Sequence, residues 1–518
     1  MQKIPVGIQD FRELREGNYL YIDKTKLIAQ MPELGKYIFF ARPRRFGKSL
    51  MLSTLKELYL GNKELFKGLW AYNNWKWGNF PVIYIDLNDI NLRQSTLEEG
   101  LHRQIQNIAK TNNININSAS AADAFRELLL LLGDKNNKCV VLIDEYDKPI
   151  TDFLNEEVQQ LQHINELKAF YSVLKSKDAY IHQAIVTGVS KYGKVSIFSD
   201  LNNLLDISTN KLFNDICGYT EQELRDNFDD RICLLSDTLE CEKEELYVKI
   251  KHWYNGYSWN GKDTVYNPFS ILSFFANETF DNFWFETGTP TFLTHLVKKQ
   301  EILPFEMDNI EGEDTIIESA DVHNIGIISL LYQTGYLTIK KILRPTIDRK
   351  SYVLGFPNEE VRLSFQRHLL AEYLNLPADI ASVNYTTKLR KCMSEGDWNY
   401  FFEIVDSLLE NIPNTLFDKK EKYFHSVIHV LLASTGLMTF SEVQTRQGRM
   451  DTVLVNTKQV FIFEFKMDKT ALDAIKQIKE AGYPKRFSQA NLQMLLIGVS
   501  FDSDKRSVNE WLVEEIMA

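Results

Sequence analysis

Apolar positions along the first two hundred residues alternate between two periods. Short strand-like runs occur at 36–41, 80–87, 139–143 and 180–188. Between them, apolar residues recur at helical spacing near 48–60, 95–110, 120–132 and 156–176. Strands alternating with helices predict a parallel sheet with helices on both faces.

The pattern then changes. Leu212 to Leu235 and Lys243 to Tyr257 read as helices, residues 325–356 as a small strand pair, and about 358–411 as helices again. Large rings are dense, as in His252-Trp253-Tyr254-Asn255-Gly256-Tyr257-Ser258-Trp259 and Tyr266-Asn267-Pro268-Phe269. A base-stacking surface would interleave exposed rings with basic residues; without that interleaving, the rings are expected to pack a helical region. A helix is predicted from Lys419 to Ser434, and strand patterns follow through Lys466. The expected organisation is an α/β P-loop domain over 1–205, a mostly helical middle or lid region over 206–412, and an α/β domain over 413–518.

Composition narrows the class. The chain has 518 residues, 44% hydrophobic and 25% charged, enough for several globular cores. Its five cysteines form no C-x-x-C pair, which argues for reduced thiols over a disulfide framework or zinc site. The N-terminus lacks the apolar core of a signal peptide, and no apolar run could span a bilayer. A cytoplasmic protein is expected. Net charge is −11, so no global basic field recruits nucleic acid. Residues 419–518, however, hold 14 Lys/Arg against 12 Asp/Glu, an end of the chain that better tolerates a polyanion.

Two stretches carry chemistry. In Ile38-Phe39-Phe40-Ala41-Arg42-Pro43-Arg44-Arg45-Phe46-Gly47-Lys48-Ser49-Leu50, a strand runs into a basic loop and a helix start. Backbone N–H groups of such a loop cradle phosphates, with Lys48 reaching the β- and γ-phosphates and Ser49 ligating Mg²⁺. Arg42 stands where the usual first glycine would be. Arg44 and Arg45 are candidate phosphate contacts, though solvated loop side chains are the blander expectation. Further on, Cys139-Val140-Val141-Leu142-Ile143-Asp144-Glu145 places two carboxylates at a strand end. Asp144 is expected to hold Mg²⁺ and Glu145 to orient or deprotonate water. One extra strand separates the two motifs, the order of ATPases with a catalytic Glu. Thr187 or Ser190, after the next strand, could sense the γ-phosphate.

The second stretch runs from Met438 to Lys466. Period-2 geometry puts Val460, Ile462, Glu464 and Lys466 on one strand face and Phe461, Phe463 and Phe465 on the other. If the turn Asn456-Thr457-Lys458-Gln459 sets Val455 opposite Val460, Asp451 falls opposite Glu464. Two facing carboxylates repel unless a cation lies between them. A divalent metal, Mg²⁺ or Mn²⁺, is therefore expected at Asp451 and Glu464, with Lys466 beside it. Either Glu442 or Glu421 would complete the shell. Thr470-Ala471-Leu472-Asp473 reads as a capping box opening a helix that carries Gln477.

With these motifs, Tyr21-Ile22-Asp23-Lys24-Thr25, Thr187-Gly188-Val189-Ser190, Trp253-Tyr254-Asn255-Gly256-Tyr257 and Gly448-Arg449-Met450-Asp451 included, the chain resembles a prokaryotic family of AAA-ATPase-like proteins with a C-terminal PD-(D/E)XK nuclease-superfamily domain. The resemblance covers nearly the whole chain. It implies ATP binding through the loop from Arg44 to Leu50 and a nuclease fold, without naming a substrate. The expected activities are ATP hydrolysis with Glu145 and metal-dependent phosphodiester cleavage of DNA or RNA with Asp451, Glu464 and Lys466. The rival expectation is a non-catalytic nucleotide switch whose C-terminal domain binds nucleic acid or protein without cutting. A homo-oligomer is a further candidate assembly.

Overall fold

The apolar runs of the first two hundred residues form one parallel sheet. Its strands are β1 (Tyr37–Ala41), β2 (Val82–Asp86), β3 (Cys139–Asp144), β4 (Ile181–Gly188) and β5 (Leu204–Asp206), in the order β2–β3–β4–β1–β5. The structure, a computed structural model, describes residues 1–134, 137–153, 156–191, 194–199, 201, 203–284, 307–318, 326–344, 346, 349–374, 376–381, 385–411, 421–444, 449–456, 458–487 and 492–516. In space, the strand between the loop-bearing β1 and the Asp144 strand β3 is β4.

Alternation along each strand fills both faces. Tyr37, Phe39, Val141 and Ile143 pack with Leu101, Phe125, Leu167 and Leu174 from the helices Leu97–Thr111, Ala121–Leu132 and Glu157–Ser176. Residues Val140 and Leu142 point to the opposite face, where the helix Lys48–Tyr59 packs on β2 and β3. Thr96 with Glu99 forms a capping box, and Ser120 accepts from the Asp123 N–H, so both helices start where their orphan donors are satisfied. β5 was not anticipated. Three residues leave no period to read; they become a strand because β1 offers an unpaired edge, with Tyr37 opposite Leu204.

In the middle of the chain the first helix begins at Glu221, not Leu212, because Thr220 and Glu223 close a capping box there. It packs with the helices Lys243–Tyr254 and Pro268–Asn277 around Leu224, Phe228, Tyr254 and Phe274. The rings do serve as packing: Phe228 stacks on Phe275 at 4.6 Å, and Phe274 lies 4.7 Å from Phe280. A short pair, β6 (Asn255–Tyr257) and β7 (Val265–Tyr266), follows the second helix. The strands β8 (Ile310–Gly312), β9 (Thr338–Leu343) and β10 (Ser351–Gly355) form a sheet ordered β8–β10–β9.

Two compact units result, Met1–Trp284 with Glu311–Asn358, and Phe285–Ile310 with Glu359–Ala518. Residues 206–412 contribute to both. The second unit contains the helices Glu359–Leu374, Trp398–Asn411 and Glu421–Ser434 and a mixed sheet. Its strands are β11 (Met438–Gln444), β12 (Arg449–Val455), β13 (Gln459–Met467), β14 (Gln493–Asp502) and β15 (Ser507–Ile516), in sequential order. Only β13 and β14 pair in parallel, and the helix Ala471–Glu480 makes the crossover that parallel pairing requires. Thr470 and Asp473 cap it as expected.

Gly498 on β14 lets that helix approach. A Cβ there would lie 2.4 Å from the Ala471 carbonyl oxygen and 2.9 Å from Ile475 Cγ1. Gly498→Ala is expected to destabilise the second unit by about 1–3 kcal/mol, the usual cost of overpacking, measured as a lowered denaturant midpoint.

Candidate active sites

β1 ends in a loop whose side chains have distinct tasks. Arg42, in the glycine position, is 1% exposed. Its guanidinium donates to the carbonyls of Ala41 (2.9 Å), Ser208 (2.7 Å) and Phe213 (2.8 Å) and lies 3.8 Å over the Trp259 ring. Burial pulls it down to about 10, so it remains charged at neutral pH. Gly47 has φ +88, a left-handed conformation that suits glycine, and begins the helix at Lys48. Phe46 is buried, its ring 4.7 Å from Tyr257 and 5.4 Å from Trp259. Arg44 is exposed, as a solvated loop residue would be. Arg45 is not: half-buried, it donates to the Phe283 carbonyl and stacks 3.8 Å over Phe269.

Lys48 Nζ is buried, 3.2 Å from the Pro43 carbonyl and 3.6 Å from Glu145 Oε1. These two residues, with Arg45, Phe46, Gly47, Ser49 and Leu50, line a cavity of about 360 Å³. Ile8, Tyr21, Tyr219 and Leu272 are among its other walls. Glu145 holds φ +54, uncommon for a side-chain-bearing residue and characteristic of over-determined sites. Burial pushes its carboxyl up, Lys48 pulls it back, and Asp147 and Asp144 push it further up.

Asp144 is fully buried. Its Oδ1 accepts from Thr187 Oγ1 (2.6 Å) and the Glu145 N–H (3.0 Å), and its Oδ2 from the Tyr84 hydroxyl (3.3 Å). Thr187 is fully buried behind Asp144, and neither of the two is among the residues that line the cavity. Ser190 is likewise occupied: its N–H (2.7 Å) and hydroxyl (2.6 Å) both donate to Asp147 Oδ2. Reasoning from sequence missed Tyr84, Asp147 and Asp86. Asp86 ends β2 directly beside Asp144; burial, offset by the Asn88 N–H and reinforced by Asp144, pushes it up to about 7. Its signal was visible, an Asp closing an apolar strand as Asp144 does.

In the second unit the hairpin has the expected register, Val455 opposite Val460 and Thr452 opposite Phe463. One step further, Asp451 Oδ2 accepts from the Phe465 N–H at 2.8 Å. Lys466 Nζ donates to Glu464 Oε1 at 2.9 Å. Asp451, Glu464 and Lys466 are therefore brought together. Glu464 is 1% exposed, and its Oε2 has no hydrogen-bond partner. Burial and Asp451 push its carboxyl up to about 7 against the pull of Lys466. A buried carboxylate with an orphaned oxygen beside a half-buried one fits a divalent cation. Phe461, Phe463 and Phe465 cover the other face, with Phe463 stacked 6.1 Å from Phe401. His425, which no sequence signal marked, approaches the Asp451 carbonyl at 3.1 Å through Nε2.

Among the described residues no cluster of three or more His, Cys, Asp or Glu is disposed to hold a metal. The side chains of Glu421 and Glu442, the alternatives for a third ligand, lie outside the described residues, as does Gly448. Gln477 sits half-buried on the helix Ala471–Glu480. All five cysteines are free thiols. Among the described residues no helix is long and apolar enough to cross a membrane.

The family described as "Predicted AAA-ATPase" matches residues 5–198, and that described as "PD-(D/E)XK nuclease superfamily" matches residues 419–511. An "Uncharacterized protein in vnfD 5'region" of Azotobacter chroococcum mcd 1 is 35% identical over 532 residues, covering 99% of both chains. Among solved structures, the Aeropyrum pernix ORC2 protein in its ADPNP-ADP complexes aligns at 12% identity over 69% of this chain and 98% of its own, with a TM-score of 0.27. Cdc6p from Pyrobaculum aerophilum aligns at 12% identity over 68% and 93%, with a TM-score of 0.25. At such scores neither likeness carries an argument about function.

Raising the Glu464 pKa makes ionisation oppose folding. The cost is absent below the ordinary carboxylate range, where both states are protonated, and grows to its full size as pH rises through about 7. Glu464→Gln is therefore expected to melt above the parent at pH 8 without divalent ions and to match it near pH 4. Added Mn²⁺ should stabilise the parent and leave the variant unmoved, as read by calorimetry.

Proposed function

Since the chain belongs to the family of AAA-ATPase-like proteins that carry a C-terminal PD-(D/E)XK nuclease-superfamily domain, we propose that it is a cytoplasmic, ATP-binding and ATP-hydrolysing protein coupled to a metal-dependent nuclease domain acting on DNA or RNA. Nucleotide work is assigned to residues 1–205 and strand cleavage to 413–518, with 206–412 as the lid region. The observation that carries the proposal is the convergence of half-buried Asp451 and Lys466 on buried Glu464, with one Glu464 oxygen left without a partner.

In the first unit, Lys48 and the N–H groups of the loop bind the nucleotide's phosphates, and apolar walls such as Ile8 and Leu272 are assigned to its base. Asp144, held by Thr187, Tyr84 and the Glu145 N–H, keeps one acceptor site on Oδ2 that would serve the hydration shell of a Mg²⁺ held by Ser49. Glu145 orients the attacking water and accepts its proton; burial raises its carboxyl, which makes it a stronger base, and Lys48 Nζ at 3.6 Å opposes that rise.

In the second unit, Asp451 and Glu464 would hold Mg²⁺ or Mn²⁺, completed by Glu421 or Glu442. A divalent cation there supplies charge stabilisation at the phosphodiester and a more acidic water when bound. Lys466, 13% exposed at its side chain, holds that water and offsets charge in the transition state. Buried phenylalanines behind the hairpin keep both carboxylates in register.

Three proteins decide the matter: parent, Lys48→Ala and Asp451→Ala, each with Mg²⁺ or Mn²⁺ on single- and double-stranded DNA and RNA, with and without ATP. Asp451→Ala is expected to lose cleavage by at least about a hundredfold, the upper end of what losing even an outer-shell partner of a metal ligand costs, while keeping nucleotide binding. Lys48→Ala is expected to lose nucleotide binding and turnover. Equal cleavage by parent and Asp451→Ala on every substrate would sink the nuclease reading and leave a nucleotide switch that binds without cutting.

A further inference from the structure

The loop side chains that depart from a plain phosphate loop are spent on distant parts of the first unit. Arg42 reaches the Ser208 and Phe213 carbonyls, and Phe46 packs on Tyr257 and Trp259. Arg45 bonds the Phe283 carbonyl and lies 3.4 Å from that of Trp284, while Trp284 Nε1 donates back to the Arg44 carbonyl at 3.2 Å. Arg45 also lines the cavity. It is thus both a wall of the nucleotide site and a partner of the segment that ends at Trp284.

That segment is tightly seated. A Cβ on Gly335 would lie 2.6 Å from Pro43 Cβ and 3.3 Å from Trp284 Cζ2, so the loop, Trp284 and the 335 turn leave no room between them. The Trp284 ring also lies 5.1 Å from Tyr336, edge to face. Arg45 has φ +66, a conformation an arginine keeps only when its surroundings over-determine it. On the other side of the site, the Lys191 N–H after β4 donates to Gln333 Oε1 at 2.6 Å, so residues 333–336 touch both the loop and the end of β4. At Trp284 the chain passes from the first unit into the second.

We propose that Arg45 and Trp284 are a positioning pair that clasps the nucleotide loop to residues 283–284, so that nucleotide in the cavity is registered where the chain leaves the first unit. The proposal rests on reading the cavity as a nucleotide site. Packed interiors respond in discrete steps and not as soft springs, so a phosphate drawing on the loop changes the clasp as a whole. Coupling of this kind is reciprocal: whatever factor nucleotide adds to the clasp, breaking the clasp removes from nucleotide affinity.

The test is a double-mutant cycle on the full chain, with a non-hydrolysable ATP analogue and Mg²⁺ as the probe. Trp284→Phe keeps a ring to face Tyr336 and removes the indole N–H that donates to the Arg44 carbonyl. Alone it is expected to weaken binding about 5- to 20-fold, within the usual range of coupling. Arg45→Ala weakens it at least as much, and the double variant is no worse than Arg45→Ala, because both remove one clasp. Arg45→Gly, which accepts the left-handed turn without strain, falls with Arg45→Ala. In the parent the analogue slows amide hydrogen exchange over 277–284; in Trp284→Phe that slowing is lost. Losses that multiply in the double variant, parent-like binding by Arg45→Gly, or undiminished slowing in Trp284→Phe would each overturn the proposal. If Lys48→Ala abolishes binding while the cycle multiplies, the clasp alone falls. If the parent binds no analogue, the nucleotide reading falls and the clasp with it.

Discussion

A charge can stay inside an apolar sheet only where fixed polar groups replace the water it has lost, and both units are organised around that constraint. Arg42 is one instance, a guanidinium in the interior of the first unit whose terminal nitrogens reach three carbonyls beside two rings, with Nε left without a partner. Asp144 is another, a carboxylate surrounded by a hydroxyl, a phenol and an N–H. Glu464 is only half satisfied, one oxygen on Lys466 and the other on nothing. An incompletely solvated buried carboxylate is costly to keep, and such costs concentrate where function needs them.

Sheet topology decides where these charges gather. Parallel strands bring their C-terminal ends to one edge, so Ala41, Asp86, Asp144 and Gly188 finish side by side and the loops that follow share one space. Inserting β4 between β1 and β3 puts Thr187 within reach of Asp144, and Ser190 within reach of Asp147. The second unit reaches the same end by another route. An antiparallel hairpin sets Asp451 against β13, and period-2 alternation then keeps Glu464 and Lys466 on one face.

Much of this was legible beforehand because it is local. The strand runs of the first sheet, the helix at Lys48, the Thr470 capping box and the Val455–Val460 register all depend on residues within a few positions of one another, and the structure has each of them. What was missed is non-local. β5 exists only because β1 has a free edge, and Arg45 turns away from solvent only because Phe269 and Phe283 happen to be there. Thr187 has the strand position expected of a phosphate sensor, and what only the fold reveals is that its hydroxyl donates to the buried Asp144 carboxylate.

By itself, then, the sequence determined the two α/β sheets, the phosphate-type loop at Gly47-Lys48-Ser49 and the convergence of Asp451, Glu464 and Lys466, since backbone period and turn length dictate these without long-range information. Only the tertiary structure decided what each loop and strand-end side chain does. Arg42 as a buried anchor, Arg45 as a partner of Phe283, Thr187 as the support of Asp144 and His425 beside Asp451 all depend on groups 26 to 238 residues away. Hydrogen bonds and ring contacts act over a few ångströms in space, and no spacing along the chain encodes which distant carbonyl will be the one within reach.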